Sequence, residues 1–151
     1  MFRALCLSLL VLAGFPGLAQ DTSETEPAEA SQVILPGEES DLTEFKWIKR
    51  PLVVFADSPN DPRYIQQMDF ITQRLEYLRE RDVVVVTDTS PEQRSPIRQR
   101  MRPRGFQVVL VDKDGDVFQR KPLPISVREL SRLIDKLPMR QQEIRDGGGA
   151  S

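Results

Sequence analysis

Arg104-Gly105-Phe106-Gln107-Val108-Val109-Leu110-Val111-Asp112-Lys113-Asp114-Gly115-Asp116-Val117-Phe118 reads as a strand, a tight turn and the opening of a second strand. Phe106 to Val111 is apolar and β-branched, which suits a buried strand. Asp114-Gly115 supplies the positive φ that a two-residue hairpin turn demands. Val117-Phe118 then returns antiparallel to the first strand. Downstream, Ser126 is placed to cap a helix whose apolar face is Val127, Leu130, Leu133, Ile134 and Leu137. Pro138 interrupts it, and Met139 to Arg145 adds a further turn.

Upstream the signals repeat. Ser95-Pro96 offers an N-cap and an N1 proline for a short helix through Met101. Val83-Val84-Val85-Val86-Thr87 is a strand, because four consecutive valines resist a helix. Asp61-Pro62 opens a helix over 62–81, with Ile65, Met68, Ile71, Leu75 and Leu78 along one face. Leu52-Val53-Val54-Phe55-Ala56 is the first strand of this series. The order β-α-β-α-β-β-α defines an α/β class with a mixed four-stranded sheet. Its two β-α-β crossovers predict parallel pairs with helices on both faces.

The chain has 151 residues, 21 Lys+Arg against 23 Asp+Glu, a single Cys and no His. Without His there is no imidazole base or ligand, and one Cys cannot close an intrachain disulfide. Residues 1–19 read as a secretory signal: Arg3, an apolar run from Ala4 to Gly14, and Gly17-Leu18-Ala19 as the cleavage box. The rival reading is an uncleaved membrane anchor, for which the run is short. Cys6 lies inside this run, so the exported chain carries no thiol. No transmembrane span is expected after cleavage, and the implied localisation is periplasmic or secreted.

Residues 20–41 form an acidic leader, poor in apolar groups and expected to be disordered. From 20 to 45 it holds Asp21, Glu24, Glu26, Glu29, Glu38, Glu39, Asp41 and Glu44, with no Lys or Arg. Val33-Ile34-Leu35 reads as a chance apolar trio in a linker, the alternative being contact with the domain or a partner. The folded domain spans 42–145, and 146–151, ending in Gly147-Gly148-Gly149-Ala150-Ser151, is a flexible tail.

The element order, with a hairpin before the last helix, is similar to the thioredoxin fold. Arg104-Gly105-Phe106 through Val111-Asp112-Lys113-Asp114-Gly115 resembles the Arg-Gly, strand, Asp-x-x-Gly hairpin of peroxiredoxins. Phe45-Lys46-Trp47, Arg50-Pro51-Leu52-Val53-Val54-Phe55-Ala56, Ser58, Asp61-Pro62-Arg63 and Pro138-Met139-Arg140 resemble an uncharacterised bacterial domain-of-unknown-function family described as peroxiredoxin-like. Relatives of that domain occur in secreted vertebrate matrix proteins of the sushi-repeat and coiled-coil-domain type. The resemblance implies a thioredoxin-like fold over roughly 42–145 and no settled activity. Where thioredoxins place two thiols, this chain has Ser58, Asn60 and Asp61, and the peroxidatic Thr and Cys of peroxiredoxins are absent. Neither catalytic apparatus carries over, and no cofactor is implied.

Three groups of residues invite a functional reading. Asp57, Ser58, Asn60 and Asp61 precede a helix N-terminus at the ligand-binding end of such a sheet. With Arg63 or Arg104 they would form a polar pocket for an anion. A Ser58 nucleophile would lack a base, and the plain reading is a capped turn. Arg94, Arg98, Arg100 and Arg102 form a cationic run suited to an anionic surface, an envelope protein or the leader, or simply a solvated face. Nucleic acid is not expected, since no aromatics interleave the arginines and the chain is exported. Asp112, Asp114 and Asp116 alternate as calcium ligands do, but the EF-hand spacing fails and a hairpin turn explains them. No metal site is read. Trp47 and the other early aromatics are expected in the core or a lid, with Tyr64 a candidate to face a pocket.

Overall fold

The computed structural model describes residues 33–38 and 40–147. The segment read as a signal, with Cys6, the expected leader up to residue 32, residue 39 and residues 148–151 lie outside that range. The strands are β1 (Ile34–Pro36), β2 (Arg50–Phe55), β3 (Val83–Asp88), β4 (Gln107–Val111) and β5 (Val117–Lys121). The helices are α1 (Pro62–Thr72), α2 (Leu75–Arg79), α3 (Pro96–Met101), α4 (Val127–Ile134) and α5 (Pro138–Gly147), with short 3-10 turns at Thr43–Phe45 and Pro91–Gln93.

The sheet has five strands in the order β1-β3-β2-β4-β5. This corrects the expected four. The added strand is the Ile34–Pro36 stretch, taken from sequence for linker. It pairs parallel with β3, Ile34 opposite Val85 and Pro36 opposite Thr87. Gly37 continues the contact, its N–H donating to the Thr87 carbonyl at 2.8 Å. A Cβ at residue 37 would lie 2.5 Å from Ile97 Cδ1, so only glycine permits this approach. Three residues of strand in an acidic context carry too little pattern to be recognised from sequence.

The second correction concerns direction. β2 and β3 are parallel, as the first crossover predicts. β4 instead runs antiparallel to β2, with Leu52 opposite Leu110 and Phe55 opposite Gln107. The short α3 does not return the chain for a parallel pairing, so only one crossover of that type exists. The hairpin is as expected, with a bulge between Leu110 and Val111.

Alternation along the central strands fills two cores, as a sheet covered on both faces requires. On one face Leu52, Val54, Val85, Val108 and Leu110 meet Ile71, Leu78, Leu130 and Ile134 of the helices. On the other, Val53, Phe55, Val86, Val109 and Val111 meet Leu42, Ile97 and Met101. Each such fully buried side chain contributes about 1.5–3 kcal/mol.

The expected helix over 62–81 is two helices. Thr72 Oγ1 donates to the Met68 carbonyl at 2.9 Å and to Asp69 at 3.3 Å, and Arg74 leaves helical geometry at φ −143°. Ile71 and Leu78 still face one core, because the apolar spacing reports which side meets the sheet, not whether the helix is continuous. Ile65 is exposed. Gln67 takes its place as a buried anchor, its Nε2 donating to the Ile125 carbonyl at 3.1 Å and its Oε1 accepting from Ile125 N at 2.8 Å. The segment after Pro138 is a full helix of 10 residues rather than one turn, and it buries none of them.

Candidate functional site

The loop between β2 and α1 follows the carboxyl end of β2. Ala56 N donates to the Asp88 carbonyl at 3.0 Å, which fixes the loop's start against β3. Ser58 then closes a turn: its Oγ accepts from Asn60 N at 3.1 Å and its carbonyl from Asp61 N at 3.2 Å. Asp61 is the N-cap of α1, accepting from Arg63 N at 2.9 Å, with Pro62 at the first helical position. The Arg63 guanidinium folds back on the same carboxylate, Nη2 to Oδ2 at 2.8 Å and Nε to Oδ1 at 3.1 Å. These bonds from Arg63 hold the Asp61 carboxyl below its usual range and raise the guanidinium in return. Arg63 also lies over the Phe106 ring, 5.5 Å from its centroid.

Asp57, Ser58, Asn60, Asp61 and Arg63 thus come together around a shallow depression, which Pro62 completes. Arg104 does not line it. The arginine that reaches this loop is Arg98, from below. Its side chain is 11% exposed and pairs with Asp88 Oδ1 at 2.8 Å. Nη2 also donates to the carbonyls of Ala56 at 2.9 Å and Asp88 at 3.1 Å, and Nη1 lies 3.7 Å from Asp57 Oδ1. Asp88 accepts in addition from Ser95 Oγ and Ser90 N, so one buried carboxylate gathers the end of β3 and the start of α3. Arg98 therefore leaves the cationic run. Arg94 and Arg102 stay exposed, both at positive φ of 49°. Arg100 is exposed but engaged, donating to the carbonyls of Asp41 at 3.3 Å and Gly115 at 3.1 Å.

The opposite end of β2 holds what sequence reasoning did not find. Arg50, the first residue of β2, is fully buried. Its Nε donates to Asp112 at 3.1 Å, Nη1 to the Arg81 carbonyl at 3.0 Å, and its two terminal nitrogens to Glu143 at 3.2 and 2.9 Å. Lys113 Nζ meets the same Glu143 at 2.8 Å and Asp82 at 2.7 Å. Arg140 adds a third cation at 3.3 Å. Burial raises the Glu143 carboxyl, but the hydrogen bonds from Arg50 and Lys113, the charge of Arg50 and the bond from Arg140 outweigh it, lowering the carboxyl to about 2. This clasp holds α5, which has no apolar anchor of its own. A charged residue opening an otherwise apolar strand was the one signal in the sequence that pointed here.

Beside the clasp, the 3-10 turn and the hairpin tip enclose a cleft of about 210 Å³. It is lined by the apolar Leu42, Phe45, Pro51 and Val111 and by the charged Lys46, Lys49, Arg100, Asp112, Asp114 and Asp116. Leu42 at φ 72° and Trp47 at φ 68° sit in the left-handed region, at a cost of about 1–2 kcal/mol per non-glycine residue. Trp47 N ties this turn to the hairpin through the Lys113 carbonyl at 2.6 Å. The Trp47 side chain is 64% exposed, against the expectation of core or lid packing, whereas Tyr64 is half-buried against the larger core. Among the described residues no group of three or more His, Cys, Asp or Glu side chains is arranged to hold a metal ion, and no helix is long and apolar enough to cross a membrane.

Mixed sheet, terminal hairpin and helices on both faces define a thioredoxin-like protein. Two solved structures share this architecture: a reduced 2-Cys peroxiredoxin of Plasmodium vivax, at a TM-score of 0.53 and 16% identity, and Prx1a of Plasmodium yoelii, at 0.52 and 20%. Each alignment covers 67% of this chain, and 84% and 80% of the respective relatives. At such identities the likeness is one of fold. No curated protein sequence matches the chain. The family model for a domain of unknown function, DUF4174, matches residues 41–143, and the chain belongs to that family.

Proposed function

We propose that this protein is an exported binding or interaction module that keeps a thioredoxin-like scaffold and works without thiol chemistry. The observation that carries the reading is the state of the loop at the carboxyl end of β2. The Ser58 hydroxyl is an acceptor in its own turn, and Asp61 is clasped by Arg63. Nucleophilic use of Ser58 needs a base to take its proton, and no carboxylate or amine among the described residues bonds to that hydroxyl. The loop is a structural turn on a scaffold, and the sequence offers one Cys, inside the segment read as a signal. Export rests on that segment alone, and places the protein in the periplasm or outside the cell.

The test is made on protein recovered after export. Intact mass should correspond to a chain beginning at Gln20. Hydrogen peroxide and protein disulfides should be consumed no faster than in buffer. Turnover by this thiol-free form would overturn the proposal. Docking on an anionic surface is a second reading, favoured by Arg94, Arg102 and Arg104, exposed and without carboxylate partners among the described residues. It requires binding that weakens steeply as salt rises, and salt-independent binding would dismiss it.

A further inference from the structure

The cleft between the 3-10 turn and the hairpin tip has features that neither the fold nor the clasp requires. Its apolar floor is covered by charges that do not neutralise one another. Lys46 Nζ lies over its neighbour's indole ring, 5.6 Å from the centroid, with no carboxylate partner. Lys49 has only a long contact of 3.9 Å to Asp82, outside the cleft. On the hairpin tip Asp112 is taken by Arg50, but Asp114 accepts a single bond, from Asp116 N at 2.9 Å, and the Asp116 carboxylate has no partner among the described residues. Lys46, Lys49, Asp114 and Asp116 thus line one cavity and, among the described residues, form no ion pair with one another. Arg100 spans one end, bonded to a carbonyl on each wall. The turn is held without a ligand by Leu42 N donating to Ser40 Oγ at 3.1 Å and Trp47 N donating to the Lys113 carbonyl at 2.6 Å.

We propose that this cleft binds a small zwitterion, an amino acid or dipeptide, with its carboxylate on Lys46 and Lys49 and its ammonium on Asp114 and Asp116. The volume suits such a molecule and is below that of drug-sized sites. Both charged ends of the ligand meet opposite charge, while Leu42, Phe45, Pro51 and Val111 receive its alkyl part. A plain anion would meet the two aspartates, and a plain amine the two lysines, so each half-ligand faces a repulsive wall.

The inference deepens the reading of the protein as a binding module, and its test separates the two. The exported protein is titrated with L-alanyl-L-alanine, acetate and ethylamine while backbone amide shifts are followed. The dipeptide should move amides of 42–49 and 112–116, leave those of 57–63 unmoved, and bind at least about tenfold more tightly than either half-ligand. Lys46→Gln and Asp116→Asn should each weaken dipeptide binding about tenfold. Both residues are exposed, so thermal unfolding should stay unchanged and report that the variants fold. No shift in either segment at about 10 mM dipeptide, or acetate binding as tightly as the dipeptide, would overturn the proposal. Peroxide or disulfide turnover would defeat the binding-module reading without touching this result.

Discussion

Each end of β2 is closed by an arginine, Arg50 fully buried and Arg98 nearly so, and the two are used in different ways. Arg98, under the 57–61 loop, is satisfied mainly by Asp88, ten residues earlier, through its carboxylate and its carbonyl, and by one further carbonyl, that of Ala56, 42 residues earlier. Arg50, at the amino end, is satisfied by Asp112 and Glu143, 62 and 93 residues away. The first is a strut whose one carboxylate is close in sequence and whose remaining bond reaches the start of the loop at Ala56. The second is a long-range tie that makes the last helix part of the fold. At the end where thioredoxins keep their chemistry, the loop's own carboxylate and hydroxyl are spent on short-range turn and cap bonds. The charged, long-range construction sits at the other end.

Substitutions can break or sharpen this contrast. Arg50→Ala should have the largest effect, about 3–5 kcal/mol in urea unfolding, because Glu143 and Asp112 keep their charges without their central partner. Hydrogen exchange should show α5 losing protection well before the strands do. Arg98→Ala strands the buried Asp88 and should cost about 3 kcal/mol, with faster exchange confined to the 56–58 and 88–98 segments. Equal exchange behaviour in the two variants would erase the distinction between strut and tie.

Glu143 gives the contrast a pH dependence. Its carboxyl is lowered from 4.5 to about 2 in the folded chain. A depressed acid stabilises fully above its unfolded value and loses that contribution as pH falls through the folded one. Wild-type stability should therefore fall between pH 4.5 and about 2, and Glu143→Gln should flatten this leg while costing about 1–3 kcal/mol at neutral pH. Calorimetry across that range decides it. The loop supplies the smallest effects. Asp61→Ala removes an N-cap worth about 1 kcal/mol, and Ser58→Ala should change stability by less than about 0.5 kcal/mol.

The parts of the fold that could be read from sequence are those governed by local chemistry. Ser95, Asp61 and Ser126 each cap the helix they were expected to cap, since a short polar side chain before proline or an apolar run has few other uses. The Asp114-Gly115 hairpin followed from its need for positive φ, met by Gly115 at 91°. Strand direction was misread because connection length does not report which neighbour β4 chooses. β1 was missed because three residues have no period. The loop residues Asp57, Ser58, Asn60, Asp61 and Arg63 do lie together, as chain proximity alone ensures. Arg98, Arg50, Gln67 and Glu143 were misassigned or unseen, because a charged or amide side chain carries no mark of where it will be buried.

The edge strand β1 has a consequence for the order of assembly. Among the described residues its one strand partner is β3, whose residues lie about fifty positions later in the chain. A polypeptide emerging amino end first presents Ile34–Pro36 long before Val83–Asp88 exists to receive it. That stretch has no strand to pair with until the chain has been delivered as far as residue 88.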